Sequence, residues 1–305
     1  MVSANYIFKV LNGGFAWVKV TSENVTCYIP QFGDWYEQSH SLMPGMEWSA
    51  VAESCLRQSQ VLADGEGVET RLLPGQFHPR IWRGIYDPKR PFEAYDKLDP
   101  QRVYGSIFNT SIVAAESLFF EVKELFRYVE PAEKNLASYG HRLRELHILL
   151  CTEIEACWSG VMKANERVGD RWKTPDYHWV CEPLRLRDWV VELKDYNLKF
   201  MPFSGWSLDQ ATRSIPWYEA YNKVKHDREA NFECGSLRAV LESAAALHIL
   251  QAAQFGPGIF DMIRGNRFSI FEVVQAPKFA LGEIYYAYPV SRGGFDSPMP
   301  YSDNP

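Results

Sequence analysis

The chain has 305 residues, of which 46% are hydrophobic and 14% aromatic, a composition that excludes an intrinsically disordered protein. Its 32 Lys and Arg residues and 38 Asp and Glu residues give a formal net charge of −6, which argues against a generally basic nucleic-acid-binding protein but is compatible with a local basic patch. The sequence has no run of 18 apolar residues, so we expect no membrane-spanning helix.

The chain has six cysteines. None of them belongs to a CxxC pair, so the sequence gives no signal for a zinc ribbon or a thioredoxin-like site. The first residues, MVSANYIFKVLNGG, lack the basic stretch and the long apolar run of a signal peptide. We expect a cytoplasmic protein with reduced thiols, no membrane association, no bound metal and no cofactor.

The N-terminal region, residues 1–108, is predicted to be an accessory region of mixed α and β structure. The apolar segments NYIFKVL, FAWVKV and VTCYIP are separated by Gly-Gly and by SEN, a pattern typical of strands joined by turns. A short helix is predicted over EWSAVAESCLRQSQVLA. The Gly-, Pro- and Arg-rich residues that follow, up to residue 100, are predicted to be extended, because prolines forbid long regular elements.

The N-terminal aromatic residues allow two interpretations. Basic residues are not densely interleaved with them, so we interpret them as core rather than as a platform on which the bases of single-stranded nucleic acid stack. These residues are Phe8, Phe15, Trp17, Tyr28 and Trp35.

Residues 109–258 follow a helical pattern. SIVAAESLFFEVKELFRYV is predicted to be a helix, and the Ala- and Leu-rich stretch CGSLRAVLESAAALHILQAAQFG is predicted to be the last long helix. A shorter helix is predicted over PLRLRDWVVELKDY. The strongest helical signal is one apolar stripe in the segment that begins ASYGHRLREL; its members are Leu143, Leu146, Leu150, Ile154, Cys157 and Val161.

The C-terminal tail, residues 259–305, contains two strand-like runs. These runs are RFSIFEVVQ and GEIYYAYPV. If they pair with the N-terminal strands, the two ends of the chain would belong to one domain.

Several catalytic signatures are absent from the sequence. There is no GxxxxGK[ST] phosphate-binding loop, no GxGxxG after a strand, no HExxH and no GxSxG. The chemistry must therefore be sought in less familiar arrangements of side chains.

The stretch WYEAYNKVKHDREANF is the best candidate for a reactive site. We predict one continuous helix, on which Trp217, Tyr221, Val224 and Arg228 share a face while Tyr218, Asn222 and His226 share a neighbouring one. Histidine exchanges protons near neutral pH, and cations stabilise the charge of a phosphorane, so such a set can cleave RNA without metal. The competing interpretation is a packed helix whose KVKHDR segment is simply solvated.

Two segments of the chain resemble HEPN-like (higher eukaryote and prokaryote nucleotide-binding) domains. The first extends from LFRYVEPAEKN to GVMKANE, and the second is WYEAYNKVKHDREANF with the Ala- and Leu-rich helix after it. The resemblance covers roughly residues 110–256 and implies a mainly α fold, an antiparallel helical bundle. It also implies a homodimer with one composite cleft. The biological role that it implies is a toxin or a phage-defence effector, and the protein partner that it implies is an antitoxin or another protein.

The resemblance implies a metal-independent endoribonuclease that acts on RNA. His226 would be the general acid or base, Asn222 would orient it, and Arg228 would complete the catalytic set. The substrate-binding residues would be Lys223, Lys225, Tyr221 and Arg142, with Glu153 supporting the histidine. The sequence departs from the family pattern at Tyr221, which stands where HEPN nucleases carry Arg and cannot supply a permanent charge.

Two alternatives follow from this departure. The first is a catalytically inactive HEPN-like scaffold, or a protein that binds RNA or a protein partner, in which Tyr221 fills the cleft. The second is an unrelated small-molecule enzyme with a pocket between the N-terminal strands and the helices.

Overall fold

A computed structural model describes residues 3–11, 14–29, 34–39, 46–72, 76–83, 103–169, 171–260, 267–285 and 299–300. The chain forms two compact units. The first, here called the sheet unit, contains Met1–Phe77, Arg83–Asp99 and Lys278–Tyr301. The second, here called the helical unit, contains His78–Trp82, Pro100–Pro277 and Ser302–Pro305.

The described part of the chain contains seven α-helices. They are α1 (Trp48–Gln58), α2 (Ser106–Leu125), α3 (His141–Ala164), α4 (Thr174–Tyr177), α5 (Pro216–His226), α6 (Arg228–Asn231) and α7 (Leu237–Phe255). Single-turn 3-10 helices occur at Glu133–Asn135, His178–Cys181, Leu186–Asp188, Phe232–Cys234 and Leu281–Glu283.

Ten strands accompany the helices in the described residues. They are β1 (Ser3–Val10), β2 (Gly14–Thr21), β3 (Asn24–Ile29), β4 (Asp34–Ser39), β5 (Val68–Thr70), β6 (Gln76–Phe77), β7 (Val190–Leu193), β8 (Leu198–Phe200), β9 (Phe271–Gln275) and β10 (Met299–Pro300).

The prediction of a mainly α helical bundle is wrong. The structure is 47% helix and 17% strand, with two antiparallel sheets in its described part, so the fold mixes α and β structure. One sheet lies within the helical unit itself, where PLRLRDWVVELKDY was expected to be a helix. That stretch forms a 3-10 turn and then β7, whose residues alternate between partly buried and buried as a half-covered strand requires.

The sheet unit contains a five-stranded antiparallel sheet in the order β4-β3-β2-β1-β5. Alternate residues of its strands, such as Val18, Val20 and Cys27, point to one face and pack in one core cluster with Val51 and Leu56 of α1. The predicted N-terminal strands and the helix after them are therefore confirmed. Burial also confirms the core interpretation for three of the five aromatic residues, Phe8, Trp17 and Tyr28.

The C-terminal tail contributes to both units. β9 pairs with β7 inside the helical unit, which confirms a strand in RFSIFEVVQ. The start of GEIYYAYPV forms a 3-10 turn instead of a strand, and the Gly282 carbonyl in this turn accepts a hydrogen bond of 2.7 Å from the Thr70 hydroxyl in the sheet unit. Residues 286–298, and most of the extended segment predicted before residue 100, lie outside the described residues.

The helical unit is organised around α7. All of its residues except Arg238 and Glu242 are buried, so this helix is covered on every side rather than on one stripe. The Ser236 hydroxyl accepts a hydrogen bond from the Ala239 amide at its start, and Gly256 ends it with a φ of 109°, a conformation that favours glycine. Helices α2, α3 and α5 pack against it.

The apolar stripe predicted on α3 is confirmed, since all six of its members are buried. The three-stranded sheet, in the order β8-β7-β9, completes the unit with antiparallel pairs. No helix in the described ranges combines the length and the apolar character that crossing a bilayer requires.

Candidate functional site

Helix α5 is fixed by one aromatic face. Pro216 occupies its first turn, where the missing amide hydrogen costs nothing. Trp217, Tyr218 and Tyr221 are buried with Val224, and the Trp217 indole nitrogen donates a 2.9 Å hydrogen bond to the Pro202 carbonyl. The exposed polar face therefore has a fixed orientation on the helical unit.

The predicted continuous helix is interrupted directly after His226. Asp227 has a φ of −141° and accepts a hydrogen bond from the Ala230 amide, so it caps a separate helix, α6, that begins at Arg228. Arg228 consequently does not share a helix face with Trp217 or Tyr221, and this part of the prediction is wrong. An Asp side chain competes well for backbone amides, which explains the break.

The predicted catalytic residues do not converge in the described structure. His226 and Arg228 are exposed. The Asn222 side chain donates a 3.0 Å hydrogen bond to the Tyr218 carbonyl of its own helix. Among the described residues, no hydrogen bond joins His226 to Asn222 or to Arg228, so neither of these two side chains orients the imidazole for proton transfer.

The predicted substrate-binding cations are held by neighbouring side chains. Lys223 forms an ion pair with Glu219 at 3.2 Å. The Lys225 ammonium donates a 2.8 Å hydrogen bond to the hydroxyl of Tyr221 and lies 4.9 Å from the centre of its ring. Tyr221, at the position where an Arg was expected, is buried and its ring belongs to the core.

Arg142 belongs to a surface network at the start of α3. It forms ion pairs with Glu121 of α2 and, at 3.4 Å, with Glu145 of its own helix. All three side chains are about half exposed, so these pairs are worth little for stability. Among the described residues, Arg142 forms no hydrogen bond or ion pair with α5.

The two acids of CTEIEAC face different surroundings. Residues two apart on a helix do not face each other, and Glu153 and Glu155 follow this rule. Glu155 accepts a 2.7 Å hydrogen bond from the hydroxyl of Tyr218 on α5, whereas Glu153 lies in the electrostatic field of Arg80. The acid that contacts α5 is therefore Glu155, whereas the sequence analysis predicted Glu153.

The core beside α5 contains a neutral histidine. The Nε2–H of His147 donates a 2.9 Å hydrogen bond to the Trp217 carbonyl, and its Nδ1 is buried without a partner among the described residues. Burial lowers the pKa of His147 to about 4. Burial and the Glu155 carboxylate raise the pKa of Tyr218, so both groups stay uncharged at neutral pH.

A second candidate site was missed by the sequence analysis. It is an open groove of about 540 Å³, here called the basic groove, between the end of α2, the β7–β8 turn and the residues before β9. Its lining residues are Lys123, Glu124, Phe126, Arg127, Lys194, Asp195, Tyr196, Arg267, Phe268, Ser269 and Ile270. Four of these are cations and three are aromatic, and they come from three separate segments of the chain.

The rings in the basic groove are held by stacking. Phe268 lies parallel to Phe120 of α2 with ring centres 3.9 Å apart, and the Lys123 ammonium lies 5.3 Å from the centre of the Phe268 ring. Phe126 and Tyr196 meet edge to face at 5.5 Å. These contacts keep aromatic surface and positive charge side by side.

Glu116 holds the segment before β9, which lines one side of the basic groove. Its carboxylate accepts a 2.6 Å hydrogen bond from the Phe268 amide and forms an ion pair with Arg267 at 3.3 Å. Lys194 donates a 2.9 Å hydrogen bond to the Ser269 carbonyl. Lys123 lies at the exposed end of α2, where an anionic ligand can reach it. Arg127 follows the helix and is also exposed, and it forms an ion pair with Glu124 at 3.0 Å that a ligand phosphate must compete with.

Among the described residues, no group of three or more His, Cys, Asp or Glu side chains is arranged so that it could hold a metal ion. The chain matches no protein-family model, no curated protein and no solved structure.

Proposed function

We propose that this chain binds single-stranded RNA in the basic groove of the helical unit without cutting it, and that it does so in the cytoplasm. The observation that carries the proposal is the pairing of cations with aromatic rings in one groove. Sites for single-stranded nucleic acid combine positive charge, which follows the phosphates, with rings on which bases stack. The preference for RNA over DNA follows from the resemblance of residues 110–256 to HEPN-like domains.

The size and charge of the basic groove fit this ligand. A volume of about 540 Å³ lies within the range of small-ligand sites, so the groove holds a nucleotide or two while the rest of a strand continues across the surface. Lys123 and Arg127 offer charge at the exposed side, and Tyr196 with Phe268 offers ring surface. A net charge of −6 then disfavours non-specific binding elsewhere on the chain.

Cleavage has less support than binding. A HEPN-type reaction needs a fixed cation near the histidine, and Tyr221 replaces the expected Arg while its hydroxyl binds Lys225. His226 is exposed, and Asn222 is occupied by its own helix backbone. A partner subunit could supply the missing groups, so the binding experiment must also detect cleavage.

The test is a titration of fluorescently labelled single-stranded RNA at several salt concentrations. We expect Tyr196→Ala to weaken binding by about 1–3 kcal/mol, because it removes a stacking surface. Tyr196→Phe is the matched control, since it keeps the ring and should bind like the wild type. The double variant Lys123→Ala with Arg127→Ala should reduce the magnitude of the log–log salt slope by about 1.4.

Two further controls make the titration decisive. Lys199→Ala removes an exposed lysine of β8 that does not line the basic groove, and should leave the salt slope unchanged. Single-stranded DNA of the same sequence tests the preference for RNA. Equal affinity of Tyr196→Ala and the wild type would refute the stacking role, and an absence of RNA binding would refute the proposed function.

The same samples are analysed for RNA length after incubation without metal. We expect intact RNA with both the wild type and His226→Ala. Cleavage by the wild type that His226→Ala abolishes would overturn the non-cutting proposal and support the ribonuclease interpretation. Cleavage by both would show a contaminant or a reactive site away from His226.

A further inference from the structure

Arg80 is held in the helical unit in an unusual backbone conformation. Its φ is 58°, in the left-handed region that few residues other than Gly, Asn and Asp adopt. Its amide donates a 2.9 Å hydrogen bond to the Tyr104 hydroxyl, and the flanking Pro79 carbonyl accepts one of 2.8 Å from the Asn165 side chain. The Trp82 amide donates to the Ala253 carbonyl at 2.8 Å. These contacts maintain a conformation that costs free energy, a feature that clusters at functional sites.

The Arg80 side chain enters the space between helices through a gap left by a glycine. A Cβ atom built on Gly160 of α3 would overlap the terminal nitrogens of the guanidinium. The Nε–H donates a 2.8 Å hydrogen bond to the buried Gln254 side chain on α7. Burial lowers the pKa of Arg80, but an arginine stays charged at neutral pH.

The terminal nitrogens of Arg80 are available to a ligand. Among the described residues, the hydrogen bond to Gln254 is the only one that its guanidinium makes. Arg80 lines an open cavity of about 440 Å³. A partly buried guanidinium with unused donors is a strong site for a carboxylate or a phosphate.

Glu153 lines the same cavity and is also unpaired. Within the described structure it forms neither a hydrogen bond nor an ion pair with Arg80, although the Arg80 charge acts on it. Burial raises the pKa of Glu153, an effect that Arg80 partly offsets. The cavity therefore has a cationic donor and an acidic acceptor in its wall with open space between them.

The rest of the cavity wall is suited to a small polar molecule. Ser111 exchanges hydrogen bonds with the buried Gln251 at 2.9 and 3.2 Å, and Gln251 reaches Cys157 at 3.3 Å. Burial raises the pKa of Cys157 to about 11, so its thiol is neutral and does not act as a nucleophile. The remaining lining residues are Ser106, Ile107, Thr110, Ala114 and Ala156.

We propose that this cavity binds a small amino-carboxylate, a molecule with one carboxylate and one ammonium group such as a free amino acid. The Arg80 guanidinium binds the carboxylate with its two outer nitrogens, and the Glu153 carboxylate accepts hydrogen bonds from the ammonium. Ser106 and Thr110 lie at the open side and contact the variable part of the ligand.

An amino-carboxylate fits the cavity better than an inorganic anion. Phosphate would satisfy Arg80 but would place a second negative charge near Glu153, and like charges in a partly desolvated site repel. An amine alone would satisfy Glu153 but would meet the positive charge of Arg80. A zwitterion matches both side chains, and its displacement of water strengthens both interactions.

The test is isothermal titration calorimetry of the full chain with single free L-amino acids. Acetate and methylamine test the carboxylate and the ammonium group of the ligand separately, and inorganic phosphate tests the competing anion. We expect at least one amino acid to bind with saturable heat, and acetate and methylamine to bind at least about tenfold more weakly. The proposal is overturned if no amino acid binds, or if phosphate binds more tightly than every amino acid.

Three variants assign the binding to this cavity. Arg80→Gln and Glu153→Gln should each weaken the affinity for the amino acid by about tenfold or more. Gly160→Ala should do the same, because its methyl group occupies the space of the guanidinium while alanine favours the helix and preserves the fold. Glu145→Gln, an exposed site on the same helix, is the control and should bind like the wild type.

A loss of affinity in a variant must be distinguished from a loss of folding. Circular dichroism and the free energy of unfolding are measured for each variant. If Arg80→Gln does not fold, Glu153→Gln and Gly160→Ala still decide the matter. Wild-type affinity in both of these variants would overturn the assignment of the ligand to the cavity. RNA is absent from this experiment, so its outcome is independent of the function proposed for the basic groove.

Discussion

The end of α5 and the Arg80 cavity both gather chemistry-bearing side chains in the helical unit, but they are built in opposite ways. At the end of α5 the cations are neighbours in sequence, and they are bound within their own helix, Lys223 by Glu219 and Lys225 by Tyr221. In the cavity, Arg80 and Glu153 are 73 positions apart in the numbering and converge without neutralising each other.

This difference shows that a dense motif is not by itself a site. A helix places residues three and four positions apart side by side, so neighbouring charges of opposite sign tend to pair. A ligand site needs unused donors and acceptors around open space, and these come most easily from separate elements. Four experiments can break or sharpen this comparison: three test the exposed end of α5 and the buried groups on which the helix packs, and the fourth tests the wall of the Arg80 cavity.

The largest expected effect is in the aromatic core behind α5. Trp158 is fully buried, with its ring centre 5.1 Å from those of Trp206 and Tyr177 and 5.3 Å from that of Tyr218. Trp158→Ala should lower the free energy of unfolding by about 3–5 kcal/mol, because it leaves a large cavity. His226→Ala should change it by less than about 0.5 kcal/mol.

Urea denaturation of both variants measures the contrast. A small effect of Trp158→Ala would mean that the aromatic cluster is not a tightly packed core. A large effect of His226→Ala would mean that the histidine is held by contacts that its exposed position does not provide.

The next effect concerns acid stability. The pKa of His147 is about 4 in the folded chain, below its ordinary value of 6.5, so the unfolded chain binds the proton more readily. Stability is therefore lost as the pH falls from about 6.5 towards 4, and His147 alone costs about 2 kcal/mol between pH 7 and pH 5. The buried His248, with a pKa of about 3, acts in the same direction.

The test compares free energies of unfolding at pH 7 and pH 5. His147→Gln should lose about 2 kcal/mol less over this interval than the wild type, whatever its stability at pH 7. Thr152→Ala changes an exposed, non-titrating side chain on the same helix as His147, so it is the control and should keep the wild-type pH dependence. An unchanged pH dependence in His147→Gln would show that the histidine is not buried as a neutral group.

A smaller effect separates the two tyrosines of α5. Tyr218→Phe removes the hydrogen bond to Glu155 and leaves a partly buried carboxylate without that donor, which should cost about 1–3 kcal/mol. Tyr221→Phe removes only the contact to the exposed Lys225 and should cost less than about 1 kcal/mol. Thermal or urea unfolding shows which variant loses more stability. A larger loss in Tyr221→Phe than in Tyr218→Phe would locate the important polar contact at Lys225.

The sequence predicted the regular elements better than their assembly. The short apolar segments of β1 to β3, separated by turn residues, and the apolar stripe of α3 are local signals, and the structure confirms the strands and the buried stripe. The segment PLRLRDWVVELKDY, which contains β7, was wrongly predicted as a helix. Its apolar residues Leu184, Leu186, Val190 and Val191 have a spacing that a helix can share, whereas pairing with β9 makes part of the segment a strand. Such pairing depends on residues about 80 positions away and has no local signature.

The candidate sites were harder to predict for the same reason. Tyr221 was chosen for its position in the family motif and Lys225 for its positive charge, and the two side chains do touch. Arg80 was not chosen, since an arginine in a Pro- and Gly-rich stretch carries no sign that Gly160 will leave room for it. A glycine inside a strong helix was the one available signal, because it costs stability unless another group needs the space.

The smallest expected effect tests whether the Arg80 cavity carries reactive thiol chemistry. Cys157 lines the cavity, but burial raises its pKa to about 11, and five of the six cysteines are buried. The thiolate is the reactive form, so native protein at pH 7.5 should react with iodoacetamide mainly at the partly exposed Cys234. Mass spectrometry after a short exposure should find one modified site, and Cys234→Ser should remove it. Fast modification of Cys157 would show a thiolate facing the cavity, and the cavity would then have to be treated as a nucleophilic site rather than as a binding site built from Arg80 and Glu153.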